Sequence, residues 1–231
     1  LPDSIKLAIR RSKLNITIIL SESDVNAKFE VFQRLNTGGS NASNQEVRDN
    51  IMVMLNPQRY EWFSQLSNND DFMTTISISD RQEKEQYHKE LLLRYIALSF
   101  YGYDSKKDIS DFLDEINLKL LSESDASYQS IENSFTKTFK LINTTLGEKA
   151  FKKEQKGKFL ESVFEAIAVG LSRNIDDYDD KNPNDITYLK GKIESLFQQD
   201  FYLQNAGSGS NAKSRINKMI PSSIKYFKRH E

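Results

Sequence analysis

The sequence predicts a mainly α protein: a helical bundle carrying one remnant strand from an α/β subdomain truncated at its N-terminus. Apolar residues recur at the three- and four-residue spacing of packed helices over most of the chain from Asp24 onward. One stretch breaks that pattern. Leu14-Asn15-Ile16-Thr17-Ile18-Ile19-Leu20 is short, β-branched and bounded by polar residues, the composition of a strand. A lone strand cannot satisfy its own backbone groups, and no partner follows it, so its sheet is expected upstream of Leu1 or on another chain. A first residue other than Met fits a piece cut from a longer protein. The expected division is 1–79, the rear half of the truncated subdomain, and 80–231, a helical domain.

The elements follow in order. Leu1–Ser12 reads as a short helix with Ile5, Leu7, Ala8 and Ile9 as its apolar members, ahead of the strand. Asp24 can cap a helix reaching about Leu35 that buries Val25, Phe29 and Phe32, ended by Thr37-Gly38-Gly39. Ser43-Asn44-Gln45-Glu46 is a capping box opening the next helix, with Val47, Ile51 and Met54 inward. Asn56-Pro57 restarts a helix holding Tyr60, Trp62, Phe63 and Leu66. A long helix is expected from Asp80 to about Tyr101. Its centre, Leu91 to Leu98, is apolar nearly all round, as befits the middle of a core. Further helices are expected near 108–122, 125–146, 156–173, 184–199 and 210–228. Gly147 should stop the second of these, and Pro221 should break or kink the last.

Composition narrows the function classes. Apolar residues make up 38% and charged residues 28% of 231 residues, polar but sufficient for a core. The absence of cysteine rules out disulfides and thiolate metal sites and makes a reducing, cytoplasmic setting the easiest fit. No apolar run approaches the roughly 20 residues of a membrane span, so no membrane partner is expected. Net charge is −1, which excludes a polycation that binds nucleic acid by bulk charge. The charge is uneven, however. Basic runs occur at Lys6–Lys13, Lys149–Lys158 and Lys213–Arg229, and acidic ones at Asp104–Asp125 and Asp176–Asp185. Such blocks suit either a phosphate-attracting face or ordinary solvated helix surfaces.

The most informative stretch runs from Phe29 to Asn50. Gly38 and Gly39 can take positive φ at no steric cost. Their amides, with the N-terminus of the following helix, can form an anion site, to which Arg34 and Arg48 can add bidentate hydrogen bonds to phosphate. The same residues also suit a glycine joint between two packed helices, with the arginines paired to Glu30 or Glu46. On the residues alone the joint is the simpler reading.

Phe29-Glu30-Val31-Phe32-Gln33-Arg34-Leu35-Asn36-Thr37-Gly38-Gly39, with Glu46-Val47-Arg48 after it, resembles the signature of the GmrSD restriction endonuclease N-terminal domain family. Glu90-Leu91-Leu92-Leu93-Arg94 resembles that family's Glu-Leu-x-x-Arg helix, and the likeness covers about residues 1–100. The resemblance implies a ParB-like fold in a prokaryotic restriction or anti-phage protein. It implies an NTP with Mg as cofactor of the full-length protein, and Arg34, Asn36, Thr37, Gly38, Gly39 and Arg48 as one wall of a nucleotide- or DNA-binding site. The family's Asp-Gly-Gln-Gln-Arg motif is absent, and Ala42 stands where a larger apolar residue is expected. This chain is therefore expected to be inactive alone, its partners being DNA or nucleotide, the missing N-terminal half or another subunit. The alternative is a non-catalytic helical protein–protein interaction module.

Other candidates are weaker. Gly207–Ser214 differs from a P-loop by Ala212 and lacks a preceding buried strand, though Lys213, Arg215 and Lys218 remain candidates for contact with a nucleic-acid backbone. His88 and Glu90 sit two apart, on different helix faces, and Asp176–Asp180 lacks the glycine and distant Glu of a calcium loop, so no metal site is expected. Tyr60, Trp62 and Phe63 suit core packing better than a base-stacking platform.

Overall fold

The computed structural model describes residues 1–13, 42–153, 157–206 and 212–229. The chain divides into two compact units, 1–41 and 42–231. In the first, α1 (Asp3–Arg11) carries its acidic residue in the first turn and Arg10 and Arg11 in the last, both favourable to the helix dipole. The expected strand Leu14–Leu20, the helix from Asp24 and the glycine turn lie outside the described residues.

The second unit is helical: among the described residues the only β pairing is an isolated bridge between Lys152 and Phe159. The protein is mainly α, as expected. Helix α2 (Asn44–Leu55) begins at the Ser43–Glu46 capping box, and α3 (Pro57–Ser67) begins with Asn56 as cap and Pro57 in its first turn. A short α4 (Asp70–Ile76), not anticipated from the pattern, is capped by Asn69 and buries Phe72 and Ile76.

The expected long helix from Asp80 is two helices. A second capping box, Ser79 with Gln82, opens α5 (Asp80–Lys84). Gln86 then adopts a left-handed conformation at φ 60° before α6 (Tyr87–Phe100). A left-handed non-glycine residue costs roughly 1–2 kcal/mol. In return the turn re-aims the chain so that Leu91–Leu93 and Tyr95–Ala97 are fully enclosed. Helix α6 is the centre of the unit, as its all-round apolar run implied.

Helix α7 (Ile109–Leu120) packs on α6 and α2, and the long α8 (Asp125–Leu146) packs on α4. Gly147 ends α8 at φ 55°, the stop expected of it. Helix α9 comprises an α turn (Glu161–Phe164), a π-helical segment (Glu165–Val169) and a closing α turn (Gly170–Ser172). Helices α10 (Pro183–Leu196), α11 (Asp200–Leu203) and α12 (Ala212–Tyr226) complete the unit. Helix α12 continues through Pro221 without the break that was one expected outcome. Proline frees the carbonyl four residues earlier, that of Asn217, which is exposed and so can be hydrated.

The core is aromatic. Phe72, Tyr95, Phe135 and Phe139 form a cluster with centroids 4.6–5.5 Å apart. Phe151 and Phe164 extend it towards α9. Such tilted and edge-on pairs contribute about 0.5–1.5 kcal/mol each beyond area burial. In α2 the inward methionine is Met52, fully buried, while Met54 is half exposed. Val47 and Ile51 are inward as expected, and Met52 takes the inward place expected of Met54. Trp62 and Tyr60 serve packing: Trp62 meets Tyr128 edge-on and donates to Glu132 at 3.1 Å, and the Tyr60 hydroxyl accepts from Lys89 at 3.0 Å.

Candidate functional site

An arginine–carboxylate network inside the second unit joins the buried side chains of Arg48, Arg94 and Glu165. It begins with Arg48 on α2, which is 1% exposed. Arg48 Nε donates to Asp114 on α7 at 2.7 Å, and Nη2 donates to the Ser110 hydroxyl and carbonyl at 3.1 and 3.3 Å. Nη1 forms an ion pair with Glu90 on α6 at 3.7 Å, too long for a hydrogen bond. Glu90 in turn accepts from Arg94 one helical turn later at 3.3 Å.

Arg94 leads into α9. Its Nη1 donates to Glu165 at 2.8 Å and pairs with Glu161 at 3.3 Å. Arg215 on α12 closes the network, donating to both oxygens of Glu165 at 2.7 and 2.9 Å and to Glu161 at 2.7 Å. Glu165 has no exposure at all and opens the π-helical segment. A buried carboxylate without partners is prohibitively unfavourable, so two guanidinium groups on one carboxylate are what the site demands. Burial pulls Arg94 down, but Glu161, Glu165 and Glu90 outweigh it and hold the guanidinium above its ordinary value. Arg215 shows the same balance, with Glu165 and Glu161 prevailing over burial. Tyr87 donates to Glu161 at 3.2 Å, and burial followed by the Glu161 charge raises its hydroxyl well above the normal tyrosine range.

The chemistry of this network is that of a clamp. Three guanidinium groups, Arg48, Arg94 and Arg215, face four carboxylates, Glu90, Asp114, Glu161 and Glu165, so no positive charge is left over to hold a phosphate. It ties α2, α6, α7, α9 and α12 together. A smaller pair lies alongside: Lys89 donates to Asp49 at 2.8 Å, and Gln45 donates to the other oxygen of Asp49 at 2.8 Å.

The residues singled out in the sequence separate into three groups. Arg34, Asn36, Thr37, Gly38 and Gly39 lie outside the described residues. Arg48 and Arg215, far apart in sequence, meet in the same network through Arg94. Lys213 is half-buried and Lys218 exposed. The helix N-terminus expected to receive an anion carries a capping box: Glu46 accepts the Ser43 amide at 2.6 Å, and the Ser43 hydroxyl accepts the Glu46 amide at 3.2 Å. The side chains that consume the arginines are Asp114, Glu161 and Glu165, none of which stood out. The available signal was Glu90 and Arg94 at four-residue spacing on an otherwise apolar helix, which marks a buried pair needing partners.

In the Asp176–Asp180 run, Asp176 pairs with Lys137 at 2.6 Å and Asp180 with Lys140 at 2.9 Å on the surface of α8. Among the described residues no group of acidic residues and histidines is placed to hold a metal ion, and no helix is long and apolar enough to cross a membrane. Comparison of the chain with protein-family models, curated proteins and solved structures gave no match.

Proposed function

We propose that the helical unit is the scaffold of a prokaryotic restriction or anti-phage protein, a non-catalytic module that fixes helix geometry and leaves nucleotide or DNA contact to other residues. The observation that carries the scaffold reading is the state of Arg48: enclosed, bonded to Asp114 and Ser110, and with its remaining nitrogen turned to Glu90. A guanidinium so placed would have to break three internal contacts and strand Asp114 before reaching a ligand, at a cost no single phosphate contact repays. The defence setting rests on the sequence resemblance of residues 1–100, carried chiefly by residues 29–50. In that setting Arg34, Asn36, Thr37, Gly38 and Gly39 are the groups left to meet DNA or an NTP with Mg.

Titration of the 231-residue chain with duplex DNA, and separately with an NTP and Mg, tests this. Arg34→Ala should abolish any salt-dependent signal with duplex DNA. Arg48→Ala, studied well below its melting temperature, should bind as the parent does but melt lower. Loss of binding in Arg48→Ala with an unchanged melting temperature would overturn the scaffold reading.

A further inference from the structure

The basic run around Lys149 builds a groove that the network does not use. Helix α8 ends at Leu146, and the segment after it is pinned to the core by Ala150 and Phe151, 1% and 0% exposed. Leu160 donates its amide to the Phe151 carbonyl at 2.9 Å, and Lys152 bridges to Phe159, so the lysines flanking Phe151 are held on a fixed platform. Lys149, Lys152 and Lys153 line it from the segment after α8, and Lys190 lines it from α10. Leu146, Ile193 and Phe197 contribute apolar surface to the lining, and the open cavity has a volume of about 450 Å³. Lys152 donates to the Ser77 hydroxyl at 3.2 Å, which orients its ammonium without neutralising it. Lys149, Lys153 and Lys190 form no ion pair with any described residue, and among the described residues the one carboxylate on the lining is Glu194.

Four lysines against one carboxylate on the lining of one concavity, among the described residues, is unlike the balanced network elsewhere in the unit. We propose that this groove binds a small ligand bearing two or more phosphate groups, its phosphates spanning from Lys149, Lys152 and Lys153 to Lys190. The volume lies within the range of small-molecule sites. It is too narrow for a duplex roughly 20 Å across to enter. Lysine is suited to multiply charged phosphate as a compact charge with rotatable donors. The plainer role for these lysines is to offset the negative end of α8, which needs one cation near the last turn and not a further one on α10.

Calorimetric titration of the chain with inorganic tripolyphosphate, free of metal, gives the direct test, with a nucleoside triphosphate as a second arm. Lys149→Ala/Lys190→Ala removes one exposed lysine from each lining segment. It should weaken tripolyphosphate binding about tenfold or more at low salt, and the parent's affinity should fall as salt rises. Lys218→Ala/Lys225→Ala changes net charge equally at exposed positions on α12 and should leave binding within about twofold. Glu194→Gln should strengthen it. A nucleoside triphosphate that binds tighter than tripolyphosphate assigns the Phe197 surface to a base, and equal affinities assign recognition to the phosphates alone; both support the site. No binding by the parent overturns the proposal. So does equal weakening by the two double variants, or a site that takes duplex DNA but not tripolyphosphate. Circular dichroism of each variant separates lost binding from lost fold.

Discussion

Arg94 and Glu165 form an ion pair at 2.8 Å in which both side chains are enclosed, 4% and 0% exposed. Such a pair gives little net stability over an apolar replacement, because desolvation of two charges offsets their attraction. Its effect is on specificity. Glu165 also accepts from Arg215, and Arg94 also reaches Glu90 and Glu161, so a slip of α9 relative to α6 or α12 would strand a charge. The network therefore selects one helix arrangement against near alternatives.

Removing one partner should be far worse than removing both. Glu165→Ala should lower stability by about 3–5 kcal/mol, since Arg94 and Arg215 lose their shared acceptor. Arg94→Met combined with Glu165→Met should cost less than the two single changes added together. Urea midpoints of the three variants decide it; strictly additive losses would show that the pair is not coupled.

Much of the helical framework was legible in the sequence. The Ser43 box, Asn56-Pro57, the apolar run of α6 and Gly147 each carry a local chemical signal, and each lies where expected. What was not legible depends on distant partners. Nothing in the neighbourhood of Arg48 or Arg215 announces that both are consumed by carboxylates 50 or more positions away, because the meeting is created by packing. The left-handed Gln86 was hidden for the same reason, since its cost is offset only by the burial it permits downstream. The turn residues Arg34–Gly39, the most distinctive string in the sequence, fall outside the described residues.

The approach of α9 to α12 leaves no room at Gly170. A Cβ there would lie 2.9 Å from the Phe227 ring and 3.0 Å from Ser223 Cβ and carbonyl. Gly170→Ala should therefore destabilise by about 1–3 kcal/mol despite the better helix propensity of alanine. The neighbouring Ser223 hydroxyl is buried with no partner among the described residues, so Ser223→Ala should be neutral or stabilising. Thermal midpoints that moved the opposite way in either variant would contradict this packing.

Acid should act through His88. Burial, and next the Lys89 charge, lower its pKa from the ordinary 6.5, and its Nδ1 has no hydrogen-bond partner among the described residues. Above about pH 6.5 the imidazole is neutral folded and unfolded, so it contributes no slope. As pH falls below that, the unfolded chain takes up a proton that the folded chain resists, and stability declines. His88→Gln should flatten the fall in urea midpoint between about pH 7 and pH 5. A variant that tracks the parent would assign the slope elsewhere.

Alkali should act through Tyr95, whose hydroxyl burial pushes up to about 12 against the partial opposition of its bonds to Ser134 and Thr138. Below about pH 10 both states hold the proton. Above it the unfolded chain ionises first, so stability should fall as pH rises towards 12. The stability gap between the parent and Tyr95→Phe should therefore narrow from about pH 9 to pH 11; a constant gap would contradict the assignment.

The account's central claim is that Arg48 is a structural clamp, and a double-mutant cycle with Asp114 tests it most directly. Urea unfolding of Arg48→Ala, Asp114→Ala and the double variant should give a coupling of about 1.5 kcal/mol or more, with each single change strongly destabilising. Negligible coupling, with Arg48→Ala as stable as the parent, would mean that the guanidinium is free of its carboxylate in solution and available to a ligand.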